Sequence, residues 1–135
     1  MYNTPPVFAI YASMLNLSWL KSKGGIDAIE QENIAKSEAL YREIDRNSLF
    51  KGTCVVEDRS RMNVCFVMEN PELEKEFLKF AEDRGIVGIK GHRSVGGFRA
   101  SLYNALPITS VHFLVDTMQD FEQKHSVDFM KSNNL

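Results

Sequence analysis

The feature that most constrains the fold is the run Met62–Met68, MNVCFVM, set between Arg59-Ser60-Arg61 and Glu69-Asn70-Pro71. An apolar run this short, bounded by turn signals, reads as a strand covered on both faces. A sheet is therefore required, and other parts of the chain must cover it. Helical patterns lie on both sides. Asn70-Pro71-Glu72 combines a cap, a proline and an acid, the signature of a helix start. Leu73, Phe77, Phe80 and Ala81 then form a stripe, and Gly85 supplies the stop. Near the N-terminus, Thr4-Pro5 reads as a capped helix start. Phe8, Tyr11, Ala12, Leu15 and Trp19 recur on one face, and Gly24-Gly25 ends that helix. A second helix from about Ile26 carries Ile29, Ile34, Leu40, Tyr41 and Ile44 near one face. It turns Glu30, Glu32, Lys36, Glu38 and Arg42 to water. A last helix spans about Thr109 to Lys124, with Val111, Leu114, Val115, Met118 and Phe121 inward.

Short strands are predicted at Thr53–Val56, Ile86–Ile89 and Phe98–Tyr103. The order is then α-α-β-β-α-β-β-α. This describes an α/β or α+β two-layer domain, with a small mixed or mainly antiparallel sheet and helices on one side. The length, 135 residues, suits one such domain. The last ten residues lose the pattern and are expected to fray.

Composition excludes several function classes. The chain has 16 basic and 18 acidic side chains, so it is no nucleic-acid binder working by bulk positive charge. No apolar stretch reaches the ~20 residues of a membrane span, and MYNTPPVFAI lacks the pattern of a signal peptide. Cys54 and Cys65 form no CxxC, and no histidine pair stands at zinc spacing, so no metal site is expected. The expectation for these cysteines is two buried thiols in a reducing compartment; a disulfide or a catalytic thiol is the alternative.

Chemistry concentrates in GHRSVGGFRASLYNALP, Gly91 to Pro107. Lys90, His92, Arg93 and Arg99 place cationic donors within a short span, and Gly91, Gly96 and Gly97 let the backbone turn sharply or approach another group. Guanidinium forks match carboxylates and phosphates. The run is neither a dinucleotide fingerprint nor a P-loop, since GxGxxG and GK[ST] are both absent. Two readings stay open: a small-molecule anion site, or a structural salt bridge from Arg99 to one of the acids. Asn3 and Thr4 pose a similar choice, between capping the first helix and meeting an anion at its N-terminus.

Taken together, YNTPP with its helix ending in GG, RSRMNV, KGHRSVGGFRASLYNALP and a final helix with MxxFExxH resemble one family. They are similar to the C-terminal part of the phosphoserine aminotransferases, class V enzymes of fold-type I that use pyridoxal 5'-phosphate (PLP). The resemblance runs from Tyr2 to His125. It implies the small C-terminal domain over residues 1–125, a frayed tail over 126–135, a cytoplasmic homodimer, and no nucleic-acid or membrane partner. The implied reaction interconverts O-phospho-L-serine and 2-oxoglutarate with 3-phosphohydroxypyruvate and glutamate, in serine synthesis; many bacterial members also serve pyridoxine synthesis.

The resemblance also assigns residues. Arg99 matches the residue that holds the substrate α-carboxylate. His92 and Arg93 match residues that help hold the distal phosphate or carboxylate. Asn3 and Thr4 match a pair that reaches the PLP phosphate of the other subunit. His112 and His125 match nothing catalytic and read as surface or core-edge residues. The Schiff-base lysine of the family precedes YNTPP, so none of the residues here is assigned to it. Lys90 belongs to the ordinary pattern and is no substitute. The expectation is a substrate-binding part that does not turn over alone; the alternative is a stand-alone non-catalytic binding module derived from the same domain. The first helix is expected to expose Phe8, Tyr11 and Trp19, so that the chain self-associates or keeps that helix mobile.

Overall fold

The computed structural model describes the backbone of residues 2–132, with side-chain surroundings through residue 126. The chain divides into two compact units, Met1–Glu32 and Asn33–Leu135, and the boundary falls inside the second helix.

The first unit contains α1, Val7–Ser22, and the opening of α2, Gly25–Arg46. The sequence predicts a helix capped by Thr4. Instead Pro6 occupies the N-cap, no side chain caps the helix, and the Val7 amide turns back to the Pro5 carbonyl at 2.8 Å. Two successive prolines bring no N–H groups for Thr4 to satisfy, so the start moves past them. The expected one-sided stripe is also corrected. Phe8, Tyr11 and Leu15 share one side, but Ile10, Met14 and Leu17 occupy the other, and no α1 residue is buried. Phe8 is 84% exposed and Tyr11 55% exposed, whereas Trp19 is half-buried.

The second unit is a three-stranded antiparallel sheet with helices on one face. Its strands are β1 (Phe50–Gly52), β2 (Asn63–Met68) and β3 (Phe98–Ser101), in spatial order β1-β2-β3. Phe50 pairs with Met68, and Cys65 pairs with Arg99. Alternation sends Phe50, Val64, Phe66, Met68, Phe98 and Ala100 into the core. Helices α2, α3 (Glu74–Asp83) and α4 (Ile108–Ser132) bring Leu40, Ile44, Phe77, Ala81, Val111, Leu114, Met118 and Phe121 to meet them. Phe77 sits at the centre, its ring 4.8 Å from Phe50 and 5.2 Å from both Phe98 and Phe121 in edge-on contacts. Such contacts favour specific ring placements as well as burial.

The other sheet face carries Lys51, Asn63, Cys65, Val67, Arg99 and Ser101, all exposed or half-buried. The strand expected to be covered on both faces is thus covered on one. Its outward residues are small or polar apart from Val67, so the apolar run in the sequence overstates its burial.

Two predicted strands do not form. Thr53–Val56 leaves the sheet: Val55 and Val56 are exposed, and a 3-10 turn follows at Val56–Asp58. Burial of Phe50 against the aromatic cluster sets β1 earlier than the β-branched residues suggest. Arg59 then fixes the connection with a paired contact to Asp45 at 2.6 and 2.7 Å. Ile86–Ile89 is interrupted by Gly88, whose φ of +77° no strand accommodates, and the neighbouring pairing is a single bridge between Lys90 and Phe98.

Asn70 behaves as read: its side-chain oxygen accepts the Glu72 amide at 3.1 Å, opening a 3-10 turn that leads into α3. α4 continues to Ser132 instead of stopping near Lys124. The end of the expected tail, residues 133–135, lies outside the described residues. The cysteines are free: Cys54 is exposed and Cys65 half-buried, so the expected burial of both is corrected. Lys36, expected in water, is buried. No helix among the described residues is long and apolar enough to cross a membrane.

Candidate anion site on the open sheet face

Strand alternation positions Arg99. Its neighbours Phe98 and Ala100 point into the core, so Arg99 must project from the open face. Its amide donates to the Ile89 carbonyl at 2.8 Å, which fixes the strand at that point. Among the described residues its guanidinium makes no ion pair and no hydrogen bond. The salt bridge considered from sequence is therefore not formed with any described carboxylate. On the same face Lys51 does reach an acid, Glu69, at 3.8 Å.

Immediately before β3, residues 91–97 form a pinched loop. The Gly91 amide donates to the Gly97 carbonyl at 2.7 Å, just inside the Lys90–Phe98 bridge. A side chain at Gly91 would overlap the Gly96 carbonyl oxygen, and one at Gly97 would lie 2.7 Å from the Phe66 oxygen. The glycines noted in the sequence are there for close approach, one across the loop neck and the other against β2. At the tip, the His92 carbonyl accepts the amides of Val95 at 2.9 Å and Gly96 at 2.8 Å. The His92 ring is oriented too: its Nδ1 accepts the Ser94 amide at 3.3 Å and lies 2.7 Å from the Ser94 hydroxyl. An accepting Nδ1 puts the proton of the neutral ring on Nε2, the atom then left to act as a donor. His92 and Arg93 are exposed, and Arg93 makes no ion pair among the described residues.

A cavity of about 500 Å³ includes Arg99 in its lining. Its walls include Ile86, Val87, Leu102, Leu106 and Phe113, with hydroxyls from Thr109 and Ser110. Arg99 thus borders a largely apolar recess, and the pinned loop that carries His92 and Arg93 leads directly into its strand. This arrangement suits a small anion with an organic body.

Asn3 and Thr4 belong to the first unit. Both are exposed, and neither side chain caps α1. Capping therefore does not account for them, and their donors are available to a ligand. Lys90 pairs with Phe98 through its backbone and is exposed, not buried as a Schiff-base lysine needs to be. His112 is exposed. His125 is half-buried, its ring tilted against Phe121 with centroids 4.5 Å apart and near Glu76, a core-edge position. No cluster of metal-ligating side chains occurs among the described residues.

Sequence reading missed Lys36. Its ammonium is buried and donates to three carbonyls, of Leu102 at 3.2 Å, Tyr103 at 2.8 Å and Leu106 at 3.3 Å. The signal was present: Lys36, Leu40 and Ile44 follow at intervals of four, so one face holds all three. Ser94, which orients His92, carries no signal in the sequence that marks it for that role.

Residues 1–114 match the model of the class-V aminotransferases, and the chain belongs to that family. Its relatives are more specific. It is 61% identical over 127 residues to a phosphoserine aminotransferase of Bacteroides thetaiotaomicron, covering 93% of this chain and 36% of the relative. It is 59% identical to one of Flavobacterium johnsoniae, with 92% and 35% coverage. Among solved structures, phosphoserine aminotransferase from Bacillus circulans subsp. alkalophilus superposes with a TM-score of 0.85 at 45% identity, over 92% of this chain and 35% of that one. A PLP-bound phosphoserine aminotransferase from Trichomonas vaginalis gives 0.79 at 41% identity, with 88% and 34% coverage. The chain thus spans about a third of the length of the proteins it matches.

Proposed function

We propose that this chain is the small C-terminal domain of a phosphoserine aminotransferase and that it contributes the groups that hold the substrate's anionic ends. The observation that carries the reading is Arg99: a guanidinium on the open sheet face, met by no described carboxylate, within the GHRSVGGFRAS run of a class-V aminotransferase. Its planar fork takes the α-carboxylate of phosphoserine or glutamate through two parallel hydrogen bonds. His92, through Nε2, and Arg93 take the distal group, a phosphate in one substrate and a carboxylate in the other. The fixed Ser94–His92 contact reduces the ordering needed for this on binding.

Asn3 and Thr4 fit a phosphate ester: an amide and a hydroxyl, both exposed, beside a helix start that no side chain caps. In the whole enzyme they serve the PLP phosphate across a homodimer. PLP, when bound, supplies the electron sink that stabilises a carbanion at the substrate α-carbon. The residues of this chain bind and orient; the lysine that holds the cofactor is placed in the part of the enzyme before Tyr2. A role in serine synthesis puts the enzyme in the cytoplasm.

The test is transamination by the full reading frame that contains this chain. Phosphoserine and 2-oxoglutarate are expected to give glutamate and 3-phosphohydroxypyruvate. A reading frame that encodes no upstream PLP lysine, or a full-length protein that binds these anions without turnover, would support a non-catalytic binding module instead.

A further inference from the structure

Lys36 is 1% exposed, and an ammonium excluded from water is costly unless its donors are used. Three of its hydrogen bonds fall on one short turn, to the carbonyls of Leu102, Tyr103 and Leu106 between β3 and α4. An ammonium has three N–H donors, so this one turn can employ all of them. A helical turn earlier, Asn33, also buried, donates from Nδ2 to the Asn104 side-chain oxygen at 2.9 Å. Two polar side chains of α2 thus grip the same turn, on a helix face where Leu40 and Ile44 show that apolar residues pack well.

The gripped turn is the continuation of the strand that carries Arg99. Leu102 is held from two sides: its amide donates to the Met62 carbonyl at 2.7 Å, and its carbonyl accepts from Lys36. Arg99 is held at its own amide by Ile89. These contacts bracket β3, and register is what the bracket protects. A slip by one residue would exchange the faces, sending Arg99 toward the phenylalanine core and Phe98 to water. Leu102 and Leu106 also line the cavity that includes Arg99, so the grip shapes that wall.

We propose that the clasp from α2, Lys36 first and Asn33 beside it, is a positioning device for Arg99. It sets the direction in which the guanidinium leaves the sheet and the wall against which the substrate lies. Lys36 touches neither substrate nor cofactor in this account and acts through the turn. The proposal rests on the reading of Arg99 as the carboxylate-binding residue.

The test uses the full-length enzyme with Lys36→Met, which keeps length and packing but removes the donors, and with Asn33→Ala as a milder change. Each is made alone and together with Arg99→Lys. The expected result for Lys36→Met is a KM for glutamate raised about 10-fold with kcat within about twofold, and a smaller rise of the same kind for Asn33→Ala. Neither should raise KM further when Arg99 is already lysine, because the effect passes through Arg99. Amide exchange should quicken at residues 102–106 while α3 is unchanged. Unchanged KM in the folded variants, or a KM effect that simply multiplies that of Arg99→Lys, overturns the proposal. If Lys36→Met does not fold, Asn33→Ala decides by the same criteria. If the wild-type enzyme does not transaminate, the reading of Arg99 fails instead, and the exchange data alone then decide whether the clasp holds the turn.

Discussion

The neck of the 91–97 loop gives the sharpest structural prediction. Replacing Gly91 by alanine puts a methyl group into the Gly96 carbonyl oxygen and within 2.8 Å of the Gly97 oxygen and 2.9 Å of its carbonyl carbon. All three are backbone atoms, so no side-chain rotation relieves the overlap. The neck must open, which removes the Gly91–Gly97 hydrogen bond and loosens the adjacent Lys90–Phe98 bridge. A lost backbone hydrogen bond is worth about 0.5–1.5 kcal/mol, and a forced backbone shift adds about 1–3 kcal/mol. The expected cost of Gly91→Ala is therefore about 2–4 kcal/mol. Gly96→Ala is the comparison: its φ of +77° disfavours alanine, but nothing lies within 4 Å of the added methyl. That change should cost only about 1–2 kcal/mol. Urea unfolding of both variants measures the difference; with a slope of about 2 kcal/mol per molar, Gly91→Ala lowers the midpoint by about 1–2 M. If Gly91→Ala costs no more than Gly96→Ala, the neck is not closed as described. His92 and Arg93 are then not pinned beside β3 by this neck.

Further predictions concern charge and exposed apolar surface. The buried Glu43 carboxylate receives Arg46 at 2.6 and 3.0 Å, Asn47 at 2.8 Å and Gln119 at 2.9 Å. Burial pushes this carboxyl up, but the donors outweigh burial and hold it below the ordinary glutamate value of 4.5. Its contribution is then complete above that value and is lost as pH falls through the lower folded-state value, because the unfolded chain binds the proton first. Glu43→Gln should destabilise the chain at neutral pH and flatten the loss of stability below pH 4.5; an unchanged acid profile contradicts this. The apolar circumference of α1 predicts that this chain on its own self-associates, and that Phe8→Glu with Leu17→Glu shifts it toward monomer. A monomer at all concentrations in sedimentation, with α1 amides protected, would count against it.

Much of the architecture was legible because period and punctuation agreed. The stripe through Phe77 and Ala81, the Asn70 start and the inward set on α4 all combine a buried face with a local signal. Failures came where tertiary contacts overrode local preference. Val55 and Val56 favour strand by type, yet Phe50 takes the sheet edge because its ring completes the aromatic cluster. Lys36 reads as a surface residue by charge, and only its helical phase with Leu40 and Ile44 hints at burial. Nothing local reveals the carbonyls of Leu102, Tyr103 and Leu106, which lie far along the chain. The site was legible as residue types: Arg99, His92 and Arg93 stand out as clustered donors. That Arg99 lacks a described carboxylate could not be read from a sequence with 18 acids. The cysteines were misplaced because composition favours buried thiols, whereas Cys65 falls on the open face by strand alternation.

The central claim is that Arg99 exists to hold a substrate carboxylate and not to hold the fold. The direct measurement is Arg99→Lys in the full-length enzyme, read as kcat/KM for phosphoserine and for glutamate alongside the unfolding midpoint. Losing a bidentate, charge-assisted pair predicts a fall of about 10²–10³-fold for both substrates. The midpoint should not move, since the side chain makes no described ion pair or hydrogen bond within the chain. A lowered midpoint with kcat/KM intact would show the opposite, an arginine that serves the structure and a substrate held elsewhere.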